Sequence, residues 1–367
     1  MKKLLFTVTN NLAYDQRMIR ICSSLAAAGF DVTLIGTKNN TASQLPDRPY
    51  RQIRLSSWIK KGPGFYLEYN IKLFIFLLFR QADLLCCIDL DTIIPVWLAS
   101  KIKNNIRVYD AHEYFSQQKE IVTRPGIYKI WHWVEKTFVP KFKNGYTVGN
   151  KIAETFKKLY QVDYKVIRNV PLLKLTPLNE GEQLRNIIYQ GAVNEARGLE
   201  HLIPAMKKVN ANLLIYGDGN FMEQTKNLIR SNNLGDKVFL KGKLLPDQLD
   251  ALTSKHYIGV NLVENIGLNQ YYSLANKFFD YLHHFVPQVT MNFPEYKSIN
   301  EQFEVAVLLQ DLKEGTIADG INKLLQDSVF YKKLYKNCGI AREEFNWQKE
   351  EKKLLFFYNS LWQISND

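Results

Sequence analysis

Cysteine is scarce: Cys22, Cys86, Cys87 and Cys338 are the only four in 367 residues. An adjacent pair with two distant singles suits neither a metal-ligand spacing nor a disulfide framework. Apolar neighbours around Cys22, Cys86 and Cys87 predict buried thiols in a reducing compartment. Long hydrophobic runs are missing as well. The stretch Ile71 to Phe79, already interrupted by Lys72, falls far short of the about 20 residues that cross a bilayer. The two N-terminal lysines precede only Leu4 to Val8, which reads as a strand rather than a signal peptide. No low-complexity tract and no sustained heptad pattern occurs, which excludes a flexible scaffold and a fibre. What is present is a 46% hydrophobic, 23% charged composition. At this length it fits two globular domains of about 150–200 residues each.

Acidic residues are the other shortage, and it is confined to one half. Residues 1–170 hold 26 Lys+Arg against 13 Asp+Glu, whereas residues 171–367 hold 22 against 23. The whole positive excess therefore lies in the first half. That suits a polyanion or an anionic membrane surface, the alternative being a solvated basic face with no partner.

Hydrophobic periodicity alternates between two and 3.6 residues along the chain. Lys3 to Thr9 reads as a strand, Gln16 to Ala28 as a helix stopped by Gly29, and Asp31 to Ile35 as the next strand. Leu67 to Phe79, Thr92 to Lys101 and Lys151 to Tyr160 read as further helices. Leu84 to Ile88, Arg107 to Asp110, Gly145 to Val148 and Tyr164 to Ile167 read as strands. Short βαβ connections imply a parallel sheet with a ligand edge at the carboxyl ends of its strands. Residues 171–184, with two prolines and a glycine, read as a linker. A second alternating series starts with the strand Asn186 to Gln190 and runs through helices at Leu199 to Val209 and Phe221 to Ser231. Its other strands fall at Asn212 to Tyr216, Val238 to Lys241 and Ile258 to Leu262. The expected domains are 1–170, with a final helix 349–367 packing back on it, and 185–348. The expected class is α/β with a cleft between two Rossmann-like domains.

Three loops of the second domain fall at one sheet edge. The first, Gly191 to Gly198, carries Arg197, whose planar guanidinium suits a phosphate; its bland reading is a tight turn with a surface arginine. Gly217-Asp218-Gly219 follows the next strand, and its bland reading is a turn whose glycines supply positive φ. The third opens a helix in Ser273 to Tyr281, with Asn276 and Lys277 in the first turn and Asp280 one turn on. Amides and a cation there would meet a diphosphate, and a carboxylate would accept ribose hydroxyls. The bland reading is an amphipathic helix capped by Ser273. In the first domain Asp110-Ala111-His112-Glu113 closes a strand, so His112 stands where catalytic groups gather, although a lone histidine is usually structural.

These motifs, with Tyr14-Asp15-Gln16-Arg17-Met18-Ile19-Arg20, Tyr189-Gln190-Gly191, Arg197-Gly198-Leu199, Asn276-Lys277-Phe278-Phe279-Asp280-Tyr281 and Phe345-Asn346-Trp347, resemble the retaining GT-B glycosyltransferases of family 4, which include sucrose synthase and mannosyltransferases. The resemblance runs along nearly the whole chain. It places the family's catalytic histidine on His112, its diphosphate-binding lysine on Arg197, and the second carboxylate of its Glu-x7-Glu motif on Asp280. The first carboxylate falls on Tyr272, with Glu264 the nearby substitute candidate. The basic residue after the first glycine of the second domain is Ala192 here, leaving Lys277 or Arg17 to carry its charge. Catalytic roles are thus expected for His112, Arg197 and Lys277. Donor contacts are expected from Gly191, Arg197, Gly217, Asp218, Gly219, Asn276, Lys277 and Asp280, with Arg17, Glu113 and Glu264 as further candidates.

The resemblance implies transfer of a sugar, with retention, from a nucleotide-diphosphate sugar to a glycan or lipid-linked acceptor in polysaccharide or glycoconjugate synthesis. No metal and no cofactor are expected, because cations and amides would stabilise the leaving diphosphate. Asp89-Leu90-Asp91 looks like a metal-binding Asp-x-Asp but lies in the acceptor-side domain, where a capping role before Thr92 is expected instead. The aromatic, apolar segment Phe65 to Arg80 suits either a membrane interface or a helix packed on the sheet. The expected location is the cytoplasm, with peripheral contact to the membrane. Two competing classes are a nucleotide-sugar epimerase on the same fold and a basic nucleic-acid-binding protein. The second has no recognition motif, so no nucleic-acid partner is expected. A catalytically dead transferase-like binder is a third.

Overall fold

A computed structural model describes residues 1–10, 12–13, 15–38, 45–174 and 184–362. The chain divides into two compact units, Met1–Asn169 with Glu350–Asp367, and Val170–Lys349. Each unit is one parallel sheet flanked by helices.

The sheet of the first unit contains β1 (Lys3–Thr7), β2 (Asp31–Thr37), β3 (Arg51–Leu55), β4 (Leu84–Ile88), β5 (Ile106–Ala111), β6 (Asn144–Thr147) and β7 (Lys165–Val166), in the order β3-β2-β1-β4-β5-β6-β7. The second has β8 (Leu184–Gln190), β9 (Leu213–Tyr216), β10 (Val238–Gly242), β11 (His256–Asn261), β12 (Gln288–Met291) and β13 (Ala306–Leu309), in the order β10-β9-β8-β11-β12-β13. In both sheets the order reverses beside the opening strand, at β1/β4 and at β8/β11. The helices that follow the two strands leave in opposite directions there, which opens a crevice at the carboxyl edge.

The central strand β4, Leu-Leu-Cys-Cys-Ile, is buried along its length, as a strand covered on both faces must be. All four cysteines are buried free thiols. The first helix, Gln16–Ala27, ends at Gly29 with φ +90°, a conformation that favours glycine. The helix expected from Leu67 begins at Gly62, because Pro63 presets the first turn. The helix expected over Leu199 to Val209 stops at Ala205 and tightens into a 3-10 turn over Met206–Lys208, after Pro204. Strand β3 escapes a sequence reading because only Ile53 and Leu55 of its five residues are apolar.

Of the expected linker 171–184, residues 175–183 lie outside the described residues, as does Tyr14 of the first motif. Residues 171–174 run along the start of the last helix, Trp347–Ser360: the Trp347 amide donates to the Pro171 carbonyl at 2.8 Å, and Leu173 and Gln348 exchange two hydrogen bonds. Further along that helix, the buried Tyr358 ring lies 6.0 Å from Phe6 and 6.2 Å from Tyr146 in the core of the first unit. Among the described residues no helix is long and apolar enough to cross a membrane.

Candidate functional site

At the carboxyl edge of the second sheet, the loops after β8 and β9 interlock through their backbones. A side chain on Gly217 would place its Cβ 1.8 Å from the Gly191 carbonyl oxygen, and one on Gly219 would lie 2.3 Å from both the Val193 oxygen and Asn194 Oδ1. The space that these glycines vacate is filled by hydrogen bonds: the Val193 amide donates to Asp218 O at 3.0 Å, the Phe221 amide to Val193 O at 3.0 Å, and the Asn220 amide to Asn194 Oδ1 at 3.1 Å. Positive φ, the bland account of the Gly-Asp-Gly turn, does not apply, because neither Gly217 nor Gly219 adopts it. Close backbone approach is what demands glycine here. The Asp218 carboxylate accepts the Gly219 amide at 2.8 Å and so shapes the turn. Gly191 has φ +120° and Ala196 φ +64°, the latter held by a hydrogen bond that its amide donates to Glu200 Oε1 at 2.8 Å.

Two cations come from this edge, Arg197 from the loop after Gly191 and Lys277 from the helix beyond. A Cβ at Gly191 would lie 3.5 Å from Lys277 Cε and 3.6 Å from its Nζ, an ordinary contact, so the Lys277 side chain packs against the Gly191 backbone. That group sits 3.8 Å from the centre of the Tyr189 ring. Burial, and then the charge of nearby Arg197, push the Lys277 pKa down to about 7, against a smaller upward pull from Asp280. Arg197 itself is exposed. Among the described residues neither cation forms an ion pair. Two like charges held together without a carboxylate between them form a site for an anion.

Lys277 and Asp280 belong to the helix Asn276–His283, whose first turn also presents Asn276. Ser273 does not cap it, contrary to the bland reading. Its hydroxyl pairs with Tyr296 Oη at 3.3 Å, Ala275 occupies the cap position without a side-chain bond, and the Ala275 amide donates to the same Tyr296 oxygen at 3.0 Å. Asp280 Oδ2 accepts from Gln190 Nε2 at 3.0 Å, and Gln190 Oε1 accepts from Thr253 at 3.0 Å. Gln190 was not singled out as a site residue from sequence. The available signal was a polar side chain ending the apolar run Ile187-Ile188-Tyr189. Glu264 lies against the loop that carries Arg197: its amide donates to the Ala196 carbonyl at 3.1 Å, and its Oε1 is 3.3 Å from His201 Nε2. Tyr272 packs its ring near Tyr271 at 5.6 Å.

At the same edge of the first sheet, Arg17, Asp110 and His112 form one chain. Arg17 Nη2 donates to Asp110 Oδ1 at 2.9 Å and its Nη1 to the Ile167 carbonyl at 2.8 Å, while His112 Nε2 lies 3.0 Å from Asp110 Oδ2. Arg17 is thus held within the first unit by Asp110 and the Ile167 carbonyl. Burial alone would raise the Asp110 pKa, but Arg17 and His112 bring it below its ordinary value. Burial likewise lowers that of His112, and Asp110 overcomes it to a net rise. An ionised carboxylate only accepts, so Nε2 carries the proton and Nδ1 is the nitrogen left for other contacts. Glu113 accepts from Gln118 Nε2 at 2.7 Å.

The expected capping role of Asp89-Leu90-Asp91 is not what the side chains do. Asp89, at φ +54°, makes no cap bond; its Oδ1 accepts the amides of His112 at 2.9 Å and Glu113 at 3.3 Å, so it holds the turn that carries His112. Asp91 accepts the Thr9 hydroxyl. Among the described residues no three His, Cys, Asp or Glu side chains converge as a metal cage.

The interlocked loops yield a direct test. Gly217→Ala is expected to displace the Gly191 bend and abolish binding of uridine diphosphate by calorimetry, with the far-ultraviolet circular dichroism spectrum retained. Gly235→Ala, where an added Cβ meets nothing within 4 Å, is the control. Unchanged affinity in Gly217→Ala would place the anion site away from this edge.

Residues 176–344 match the family described as Glycosyl transferases group 1, a span that lies wholly in the second unit. No curated protein matches the sequence closely enough to count as a relative. Solved structures match over almost the full chain. Sucrose-phosphate synthase from Thermosynechococcus elongatus superposes with a TM-score of 0.82 at 17% identity, over 99% of this chain and 100% of that one. HepE from Anabaena, solved in complex with UDP-glucose, gives 0.77 at 12% identity over 98% and 100%. WaaG, a glycosyltransferase involved in lipopolysaccharide biosynthesis, gives 0.72 at 14% identity over 95% and 98%. The chain thus has the α/β fold of the GT-B glycosyltransferases, two Rossmann-like units in tandem, the second of which carries the match to the glycosyl transferases group 1.

Proposed function

We propose that the protein is a retaining glycosyltransferase that moves a sugar from a nucleotide-diphosphate sugar to a glycan or lipid-linked acceptor, without a metal ion. The observation that carries this reading is the pair Arg197 and Lys277, two neighbouring cations that form no ion pair among the described residues, with Lys277 packed against the Gly191 bend. A leaving diphosphate gains a charge as the glycosidic bond breaks. Cations already in place stabilise that charge without reorganisation. Asn276 and the amides opening its helix add to the same field. Gly191, Gly217, Asp218 and Gly219 shape the edge, and Asp280, oriented by Gln190, accepts the hydroxyls of the ribose.

His112 has a different task in this reading. Fixed by Asp110 and Arg17, it steadies the sugar and the positive charge that develops on it. Retention follows from attack on the face from which the diphosphate leaves, with the leaving phosphate taking the acceptor's proton. UDP-glucose in the HepE complex and the lipopolysaccharide role of WaaG support the donor class and a surface-glycan acceptor. Cytoplasmic placement, with the first unit against an anionic membrane, belongs to the same proposal and rests on the charge asymmetry.

The reading predicts that Arg197→Ala loses about 10²–10³-fold in turnover at saturating donor while the fold is kept. Release of nucleotide diphosphate with an added acceptor, and the anomeric configuration of the product by NMR, are the readouts. Near-normal turnover in Arg197→Ala, or an isomerised free sugar instead of a transfer product, would sink it. In the same assay, activity is expected to survive excess EDTA. His112→Ala is expected to lose most turnover yet keep nucleotide affinity. Equal loss of both in His112→Ala would assign His112 to nucleotide binding instead.

The depressed pKa of Lys277 adds a pH signature. The ammonium form holds the anion and is present below about pH 7 in the free protein. As pH rises through that value the charge is lost, so kcat/KM for the donor is expected to fall on the alkaline side. Lys277→Arg, which stays protonated, is expected to flatten that limb. A profile with the same alkaline limb in wild type and Lys277→Arg would assign it to another group.

A further inference from the structure

One residue of the first unit holds a backbone conformation that its side chain disfavours. Asp89, directly after β4, has φ +54° and ψ −177°. Asn104, Gln161 and Glu304 also have positive φ, but their ψ values of 37°, 37° and 69° lie in or near the left-handed helical basin. Asp89 lies outside that basin, in a region that glycine usually occupies. Glycine would relieve the strain, so the reason for an aspartate here lies in its side chain.

That side chain acts on one segment. The Asp89 amide donates to the Asp110 carbonyl at 3.0 Å and continues the β4/β5 ladder by one step. Its Oδ1 then accepts the amides of His112 at 2.9 Å and Glu113 at 3.3 Å. Both ends of Asp110-Ala111-His112 are thus bound to one residue, and Thr147 Oγ1 holds the middle by donating to the Ala111 carbonyl at 2.9 Å. In an extended strand residues i and i+2 share a face, yet β5 ends at Ala111. The contact of His112 Nε2 with Asp110 Oδ2 at 3.0 Å therefore needs the strand course to run one residue past the strand, and Asp89 is the group that carries it on. Burial raises the Asp89 pKa well above its ordinary value; His112 opposes the rise, and Glu113 and Asp91 add to it. Asparagine, neutral and with the same acceptor oxygen, is thus its close mimic.

We infer that Asp89 is a positioning residue for His112: its strained backbone and its carboxyl oxygen together extend β5 by one residue and so set the imidazole against Asp110. The effect on transfer rests on the transferase reading; the effect on the imidazole does not. The test uses the full-length protein, with the His112 titration read by NMR, turnover, uridine diphosphate affinity by calorimetry, and the thermal midpoint. Burial lowers the His112 pKa, Asp110 overcomes it to a net rise, Arg17 opposes that rise and Asp89 adds to it. In Asp89→Ala and Asp89→Gly the His112 pKa is expected to fall toward its ordinary value and turnover to fall at least about tenfold, with nucleotide affinity unchanged. Asp89→Gly is expected to melt roughly 2–4 °C above Asp89→Ala, because glycine relieves the strain, yet to be as inactive. A merely structural role would instead let turnover follow the thermal midpoint. Asp89→Asn removes the direct charge but keeps the acceptor oxygen, and is expected to keep the raised His112 pKa and most of the turnover. Asp89→Glu, a methylene longer, is expected to lose both. If Asp89→Ala and Asp89→Gly do not fold, the pair Asp89→Asn and Asp89→Glu decides. Gln161→Gly, at the positive-φ end of the helix Asn150–Tyr160, is the control and is expected to leave the His112 pKa and turnover as they are. An unchanged His112 pKa in Asp89→Ala, turnover that ranks with the thermal midpoint, Asp89→Asn as impaired as Asp89→Glu, or Asp89→Gly no more stable than Asp89→Ala would overturn the inference. The expected His112 shifts in a protein that never turns over a nucleotide sugar would leave the inference standing and sink the transferase reading.

Discussion

The contact on which the second site depends is one between backbones. The carbonyl of Gly191 and the α-carbon of Gly217 lie so close that no side chain fits between them. This approach joins the ends of β8 and β9, and the hydrogen bonds of Val193, Asn194 and Phe221 close around it. Gly191 itself bends through φ +120°, a conformation that favours glycine, and the Lys277 side chain packs against its backbone at ordinary contact distance. Glycine here is a packing residue first, and the anion site is a consequence of the packing.

The two units treat charge in opposite ways. Arg17, Asp110 and His112 are buried or nearly so and neutralise one another. Removing one partner from such a buried pair typically costs about 3–5 kcal/mol, because the other charge is left in a poor solvent. This network is therefore rigid, and it fixes both the ring plane and the proton of His112. On the second unit Arg197 and Lys277 have no such compensation, and the cost appears as a lysine that titrates near neutrality. Compensated charge positions a side chain, whereas uncompensated charge waits for a ligand. The contrast separates a positioning network from a binding site with no reference to what either binds.

Apolar surface follows the same logic. Leu67 and Ile71 gain nothing by pointing at water, yet the helix that carries them already buries Tyr69, Leu73 and Leu77. A helix of this kind satisfies the sheet with one face and leaves the other for something outside the chain.

Much of this was legible in the chain itself. The twofold alternation of strand and helix, the glycine loops after β8 and β9, and the placement of Lys277 and Asp280 one turn apart all follow from local periodicity, which depends on near neighbours. Charge asymmetry is likewise a count. What local pattern does not carry is which partners a side chain finds across the sheet. The partner of Arg17, Asp110, lies 93 residues away. Asp89 looked like a cap until the amides after β5 turned out to be its partners. Gln190 stood in a motif but drew no role, because its partners, Thr253 and Asp280, come from distant turns. Sequence by itself determined the twofold strand–helix alternation and the residue types at the strand ends it located, because those depend on short-range sterics and solvation. Only the tertiary structure decided which charges are neutralised and which remain open, because the energy of a charge depends on everything packed around it.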